Sequence, residues 1–114
     1  AVYDPVSEIT VTSGATEALF AAIASVVHQG DEVIVLEPAF DSYVPAIELN
    51  GGIPIYVKFR FPEYRVDWDE VKQAVTSQTR LIILNSPHNP TGAVWSGDDI
   101  TALKHIVKDT EILI

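Results

Sequence analysis

The 114 residues predict an α/β fold: a three-layer α/β/α arrangement around a mostly parallel sheet. Two unbroken apolar runs, Val33-Ile34-Val35-Leu36 and Leu81-Ile82-Ile83-Leu84, have the character of strands covered on both faces. Segments with helical spacing of apolar residues lie between and around them, so strand and helix alternate. No repeat, low-complexity tract or linker interrupts that alternation.

Taken in order, Thr16 to about His28 places Leu19, Phe20, Ile23, Val26 and Val27 at helical spacing, with Gly30 as a stop. The first apolar run follows as a strand. Asp41 or Ser42 is the expected cap of a second helix through about Leu49, which Asn50-Gly51-Gly52 ends. Ile53 to Val57 reads as the next strand, and Phe59 to Arg65 as a loop broken by Pro62. Asp67 and Glu70 have capping-box spacing before a helix to about Val75. The second apolar run is the third strand. Ser96 and Asp99 open a helix through about Val107, and Glu111-Ile112-Leu113-Ile114 reads as the start of a fourth strand.

Composition narrows the function. Nearly half the residues are apolar (47%), which fits a packed core. The net charge of −9 disfavours nucleic acid or an anionic membrane face as a partner. With no cysteine, disulfides and cysteine-based nucleophiles or metal sites are excluded. No apolar run has the length of a membrane span. The chain begins at Ala1 without a methionine or a signal-peptide pattern and ends inside an apparent strand. The expectation is one unit, residues 1–114, cut at both ends from a larger domain of a cytoplasmic protein.

Three segments are candidates for chemistry, because ligands of open parallel sheets bind beyond the carboxyl ends of the strands. In Thr12-Ser13-Gly14-Ala15-Thr16-Glu17-Ala18, small residues open a helix whose N–H groups and dipole suit a phosphate. On these residues alone an ordinary N-cap is the favoured reading, since neither a Walker pattern nor GxGxxG is present. In Glu37-Pro38-Ala39-Phe40-Asp41-Ser42-Tyr43, Phe40 follows a strand and can either stack on a planar ring or fill the core. In Asn85-Ser86-Pro87-His88-Asn89-Pro90-Thr91-Gly92, two prolines and a glycine stiffen a loop that fixes the Asn89 amide in one direction. His88 reads as an exposed loop residue, with no second histidine or carboxylate at metal-ligand spacing, so no metal site is expected. Asp67, Asp69 and Glu70 read as charge that complements a helix start.

Together, and in this order, Ser-Gly-Ala-Thr-Glu-Ala, Gly-Asp-Glu-Val-Ile-Val-Leu-Glu-Pro-Ala-Phe-Asp-Ser-Tyr and Leu-Asn-Ser-Pro-His-Asn-Pro-Thr-Gly resemble the class I/II aminotransferases of the fold-type I pyridoxal-phosphate enzymes. The likeness runs from Tyr3-Asp4-Pro5 to the final strand. The Pro-Ala-Phe-Asp-Ser-Tyr stretch and Gly51-Gly52-Ile53-Pro54 look most like the kynurenine, glutamine and methionine subgroup. The resemblance implies that the chain is part of the large, cofactor-binding domain. Gly14, Ala15 and Thr16 would bind the phosphate of pyridoxal 5'-phosphate, Phe40 would stack on its ring, and Asn89 would hydrogen-bond its phenolic oxygen. It also implies cis peptides before Pro38 and Pro90.

The same resemblance shows what lies elsewhere. The aspartate that pairs with the ring nitrogen, the Schiff-base lysine and the arginine for the substrate carboxylate have no counterpart here. Lys58, Lys72, Lys104 and Lys108 sit in no such motif. By itself the chain is expected to be inactive, with no catalytic residue of its own. The implied parent is a homodimer that transfers an amino group from an amino acid to a 2-oxo acid. A carbon-sulfur β-lyase using the same cofactor, or a non-catalytic regulator keeping an aminotransferase-like domain, are the alternatives. A nucleotide-binding domain is disfavoured by the missing glycine-rich fingerprint.

Overall fold

A computed structural model describes residues 2–114 and contains seven elements. They are α1 (Ala15–Val26), β1 (Glu32–Glu37), α2 (Tyr43–Leu49), β2 (Ile53–Lys58), α3 (Trp68–Ala74), β3 (Thr79–Ile83) and α4 (Gly97–Val107). The sheet has the order β2-β1-β3, and both pairings are parallel. Near the end of the chain Leu113 bridges Leu81 in parallel, so a further extended segment lies on the side of β3 away from β1.

Strand β1 is central because its run is apolar on both sides. Val33 and Val35 join Ile23, Val27, Tyr43, Ala46 and Ile47 in a core beneath α1 and α2. Ile34 and Leu36 face the other way, with Val57, Phe59, Val71, Ile82 and Leu103 beneath α3 and α4. The period-2 alternation of a strand therefore divides one run between two cores. Val33, Ile34 and Val35 are wholly buried, and each such side chain contributes about 1.5–3 kcal/mol. An aspartate at any of the three would bury an unpaired charge and break this layer.

The topology follows from right-handed crossovers. The chain leaves β1 in one direction through α2 to reach β2, then returns past β1 through α3 to reach β3. Opposite directions of travel put the connecting helices on opposite faces, which gives the three layers.

The helix starts are resolved locally. Asp67 caps α3 by accepting the N–H groups of Asp69 and Glu70 at 3.1 and 3.2 Å. The reciprocal half of the expected box is absent, because the Glu70 carboxylate pairs with Arg60 at 2.8 Å instead. Arg60 also reaches Asp67, and this guanidinium, after the Glu70 N–H, holds the Asp67 carboxyl below its usual range. The box at Ser96 and Asp99 is complete. Helix α2 departs from expectation: Ser42 precedes it in the right-handed helical region, and no side chain caps it. A capping hydroxyl needs an extended backbone to reach forward, and here a turn closed by Tyr43 N–H on Phe40 C=O already leads into the helix.

The amino rim of the sheet is tied together by polar contacts. Gly30 N–H donates to Gly51 C=O and Glu32 N–H to Gln78 C=O, each at 2.9 Å. The hydroxyls of Thr76 and Thr79 both donate to the Glu32 carboxylate. No helix among the described residues is long and apolar enough to cross a membrane.

Candidate functional site

The carboxyl rim is built differently. Strands β1 and β3 are neighbours whose outgoing connections run in opposite directions, β1 toward β2 and β3 toward the Leu113 segment. Such a switch point opens a crevice between the two exit loops. The exit loop of β1 carries Phe40, and that of β3 carries Asn89.

Helix α1 brings its amino end to the same rim. Its last carbonyls lie at the amino rim, where Val26 C=O accepts from Arg80 Nε at 3.2 Å. Twelve helical residues span about 18 Å, close to the roughly 20 Å of a six-residue strand. The first turn of α1 is thereby level with the end of β1, and Thr16 shares a cleft with Asp41 and Ser42.

That first turn is open. Gly14 occupies the N-cap position with φ of 109°, and no side chain caps the helix. The Glu17 carboxylate accepts Ser13 N–H, and the Thr12 hydroxyl donates to Gly14 C=O, so each of these polar groups has a partner outside the helix N–H groups. A Cβ built on Gly14 would have no atom within 4 Å, which leaves the approach to Ala15 and Thr16 clear. At this φ any other residue would be strained. These features fit a phosphate group.

Phe40 is half-buried. One edge packs on the α1/α2 core and meets Tyr43 at 5.7 Å in an edge-on arrangement, so the core reading holds for part of the ring. Burial alone raises the Tyr43 pKa. Asn89 is exposed. Its backbone N–H donates to Asn85 Oδ1 at 2.6 Å, while its side-chain amide makes no hydrogen bond among the described residues. The peptides before Pro38 and Pro90 are cis, as are those before Pro62 and Pro87.

His88 corrects an expectation. It is buried, only 4% exposed. Its ring packs on Phe59 with centroids 4.5 Å apart, and Nδ1 lies 2.8 Å from Thr91 Oγ1. Removal from water lowers its pKa below the usual histidine value. The reason is tertiary: Phe59, at the end of β2, reaches past β1 and covers the loop after β3. Nothing local in Pro87-His88-Asn89 signals this. Asn85 was likewise missed as the residue holding Asn89, although an asparagine accepting a later backbone N–H is a familiar turn device. All four lysines, Lys58, Lys72, Lys104 and Lys108, are exposed.

Comparison with known proteins gives the family. The chain matches the family "Aminotransferase class I and II" over residues 1–114. It is 50% identical to the methionine aminotransferase of Escherichia coli K12 over 111 residues, which are 97% of this chain and 29% of that protein. The crystal structure of N-succinyldiaminopimelate aminotransferase from Mycobacterium tuberculosis superposes with a TM-score of 0.91 at 40% identity, covering 99% of this chain and 30% of that one. Cystalysin from Treponema denticola, whose crystal structure contains pyridoxal 5'-phosphate, gives a TM-score of 0.81 at 26% identity, with coverage of 90% and 27%. The chain thus spans under a third of the length of these relatives. A match along its whole length, carried on the expected fold, means that the chain belongs to the class I and II aminotransferase family.

Proposed function

We propose that the protein to which this chain belongs is a pyridoxal-phosphate-dependent aminotransferase, and that the chain supplies part of its cofactor-binding wall. The observation that carries this is the convergence on one rim of an uncapped helix start, a half-buried aromatic ring and an unbonded amide on a stiff loop. When bound, pyridoxal phosphate accepts the electron pair released at the substrate Cα as an amino group passes to a 2-oxo acid.

The chain's residues bind and orient. The N–H groups at Gly14, Ala15 and Thr16 face an anion with the positive end of the α1 dipole behind them. Phe40 offers a ring fixed along one edge by Tyr43, so it meets a planar ligand without first being ordered. Asn89 offers an N–H donor to an anionic ring oxygen from a loop pinned by Asn85. None of these groups forms a covalent bond or moves a proton. A chain with no anchoring lysine in this wall is expected to be inactive alone.

The likeness to methionine aminotransferase at 50% identity favours a sulfur-containing donor, with aromatic and glutamine-like donors next. A cytoplasmic homodimer belongs to the same proposal. It rests on family resemblance.

The test is an absorbance spectrum of the full-length protein with pyridoxal phosphate, before and after methionine is added. Conversion of a long-wavelength band to a shorter-wavelength one, with a 2-oxo acid as product, supports the proposal. Release of a thiol and ammonia from a cysteine conjugate would assign a β-lyase instead. A spectrum with no long-wavelength band would favour a regulator.

A further inference from the structure

The loop after β3 is closed on itself. His88 N–H donates to Ala93 C=O at 2.7 Å, and Gly92 N–H donates to His88 C=O at 2.6 Å. Thr91 Oγ1 accepts Ala93 N–H at 3.2 Å and lies 2.8 Å from His88 Nδ1. One assignment uses the Thr91 hydrogen as well as its lone pairs: the hydroxyl accepts from Ala93 and donates its own hydrogen to Nδ1. His88 is then the neutral tautomer with its proton on Nε2. The ring is clamped from outside as well, because Phe59 lies against it and Trp95 stacks on Phe59 at 5.9 Å. Asn89 sits inside this closure, yet its own side chain makes no bond among the described residues that would aim it.

We propose that His88 is a positioning residue for Asn89: its ring, held on Phe59 and accepting from Thr91, fixes the loop that aims the Asn89 amide. The inference rests on the reading of Asn89 given above. His88 contributes no contact to the ligand; it acts through Thr91 and the loop backbone.

The experiment uses the full-length protein and four variants. His88→Phe keeps an aromatic ring on Phe59 and loses the acceptor. His88→Asn keeps an acceptor near the Nδ1 position and loses most of the packing. Thr91→Val removes the donor from the other side, and Asn89→Ala removes the amide itself. Three quantities are read: the visible band of the bound cofactor, amide hydrogen exchange at Gly92 and Ala93, and the melting temperature. His88→Phe and Thr91→Val are expected to shift the band in the direction of Asn89→Ala. Exchange at both amides should rise about tenfold, as for loss of one buried hydrogen bond. His88→Asn is expected to melt lowest while keeping a band closer to wild type, an order that packing alone would not give. Wild-type band and exchange in His88→Phe would overturn the proposal. If Asn89→Ala leaves the band unchanged, the cofactor role of Asn89 falls. Exchange then decides alone: faster in His88→Phe supports the loop-fixing role, unchanged overturns it.

Discussion

The indole N–H of Trp68 donates to Asp99 Oδ1 at 2.8 Å, and so the first turn of α3 is joined to the first turn of α4. The other carboxylate oxygen of Asp99 takes the N–H and hydroxyl of Ser96 at 2.8 and 2.7 Å. Burial pushes this carboxyl up, but the Trp68 and Ser96 donors and the Arg65 charge outweigh it, leaving it below its ordinary value of 3.8. Asp99→Ala removes the N3 half of the capping box and a charged hydrogen bond together and should destabilise the protein by about 2 kcal/mol in denaturant unfolding. Asp99→Asn keeps an acceptor for Trp68 and should lose less. Since the folded pKa is depressed, the contribution is full above the unfolded value and fades as pH falls through the folded one.

His88 gives a second pH dependence, in a higher window. Burial holds its folded pKa below the ordinary value of 6.5. Below that value the unfolded chain binds more protons than the folded one, so stability rises with pH and is complete above it. Melting of the wild type should weaken as pH falls below the ordinary histidine value of 6.5. His88→Phe should lack that component, and equal slopes in the two proteins would count against a buried neutral imidazole.

Gly52 leaves no room for a methyl group. A Cβ there would stand 2.6 Å from Val27 Cγ1 and 2.9 Å from Ile47 Cγ2, both in the α1/α2 core. Gly52→Ala should cost about 1–3 kcal/mol through overpacking, read as a lower denaturant midpoint.

Phe40→Ala removes the ring but leaves the Tyr43 scaffold. Cofactor retention in the full-length protein should fall by on the order of 1 kcal/mol, seen as faster loss during dialysis, beside a lower melting point of the cofactor-free protein from the packing lost at the core edge. A large drop in that melting point, with retention unaltered, would make Phe40 a core residue only.

Much of the fold was legible because two of its strands are unbroken apolar runs, the central one covered on both faces. Val33 to Leu36 and Leu81 to Leu84 have no polar position to confuse strand with surface helix, and the Ser96–Asp99 box marks its helix start in four residues. The order β2-β1-β3 was not legible, since alternation fixes parallel pairing and leaves the neighbours open. In the site, the stiff loop of Asn89 stood out by local pattern, while Gly14 and Phe40 gained a role only from the three segments taken together. His88 did not, because its burial depends on Phe59 from another strand. Arg60 drew Glu70 out of its expected box for the same kind of reason: a partner outside the local stretch.

The two rims of the sheet have consequences for how such a protein can change. At the amino rim, Glu32 binds Thr76 and Thr79 and the turns around Gly30 and Gly51 bond each other, so each residue there answers to several neighbours. At the carboxyl rim, the Asn89 side chain is exposed and makes no hydrogen bond among the described residues, and Phe40 is held along one edge only. Substitutions can therefore alter what is bound at one end while the other end keeps the strands in register. Variation and constraint are separated by the length of a single strand, about 20 Å.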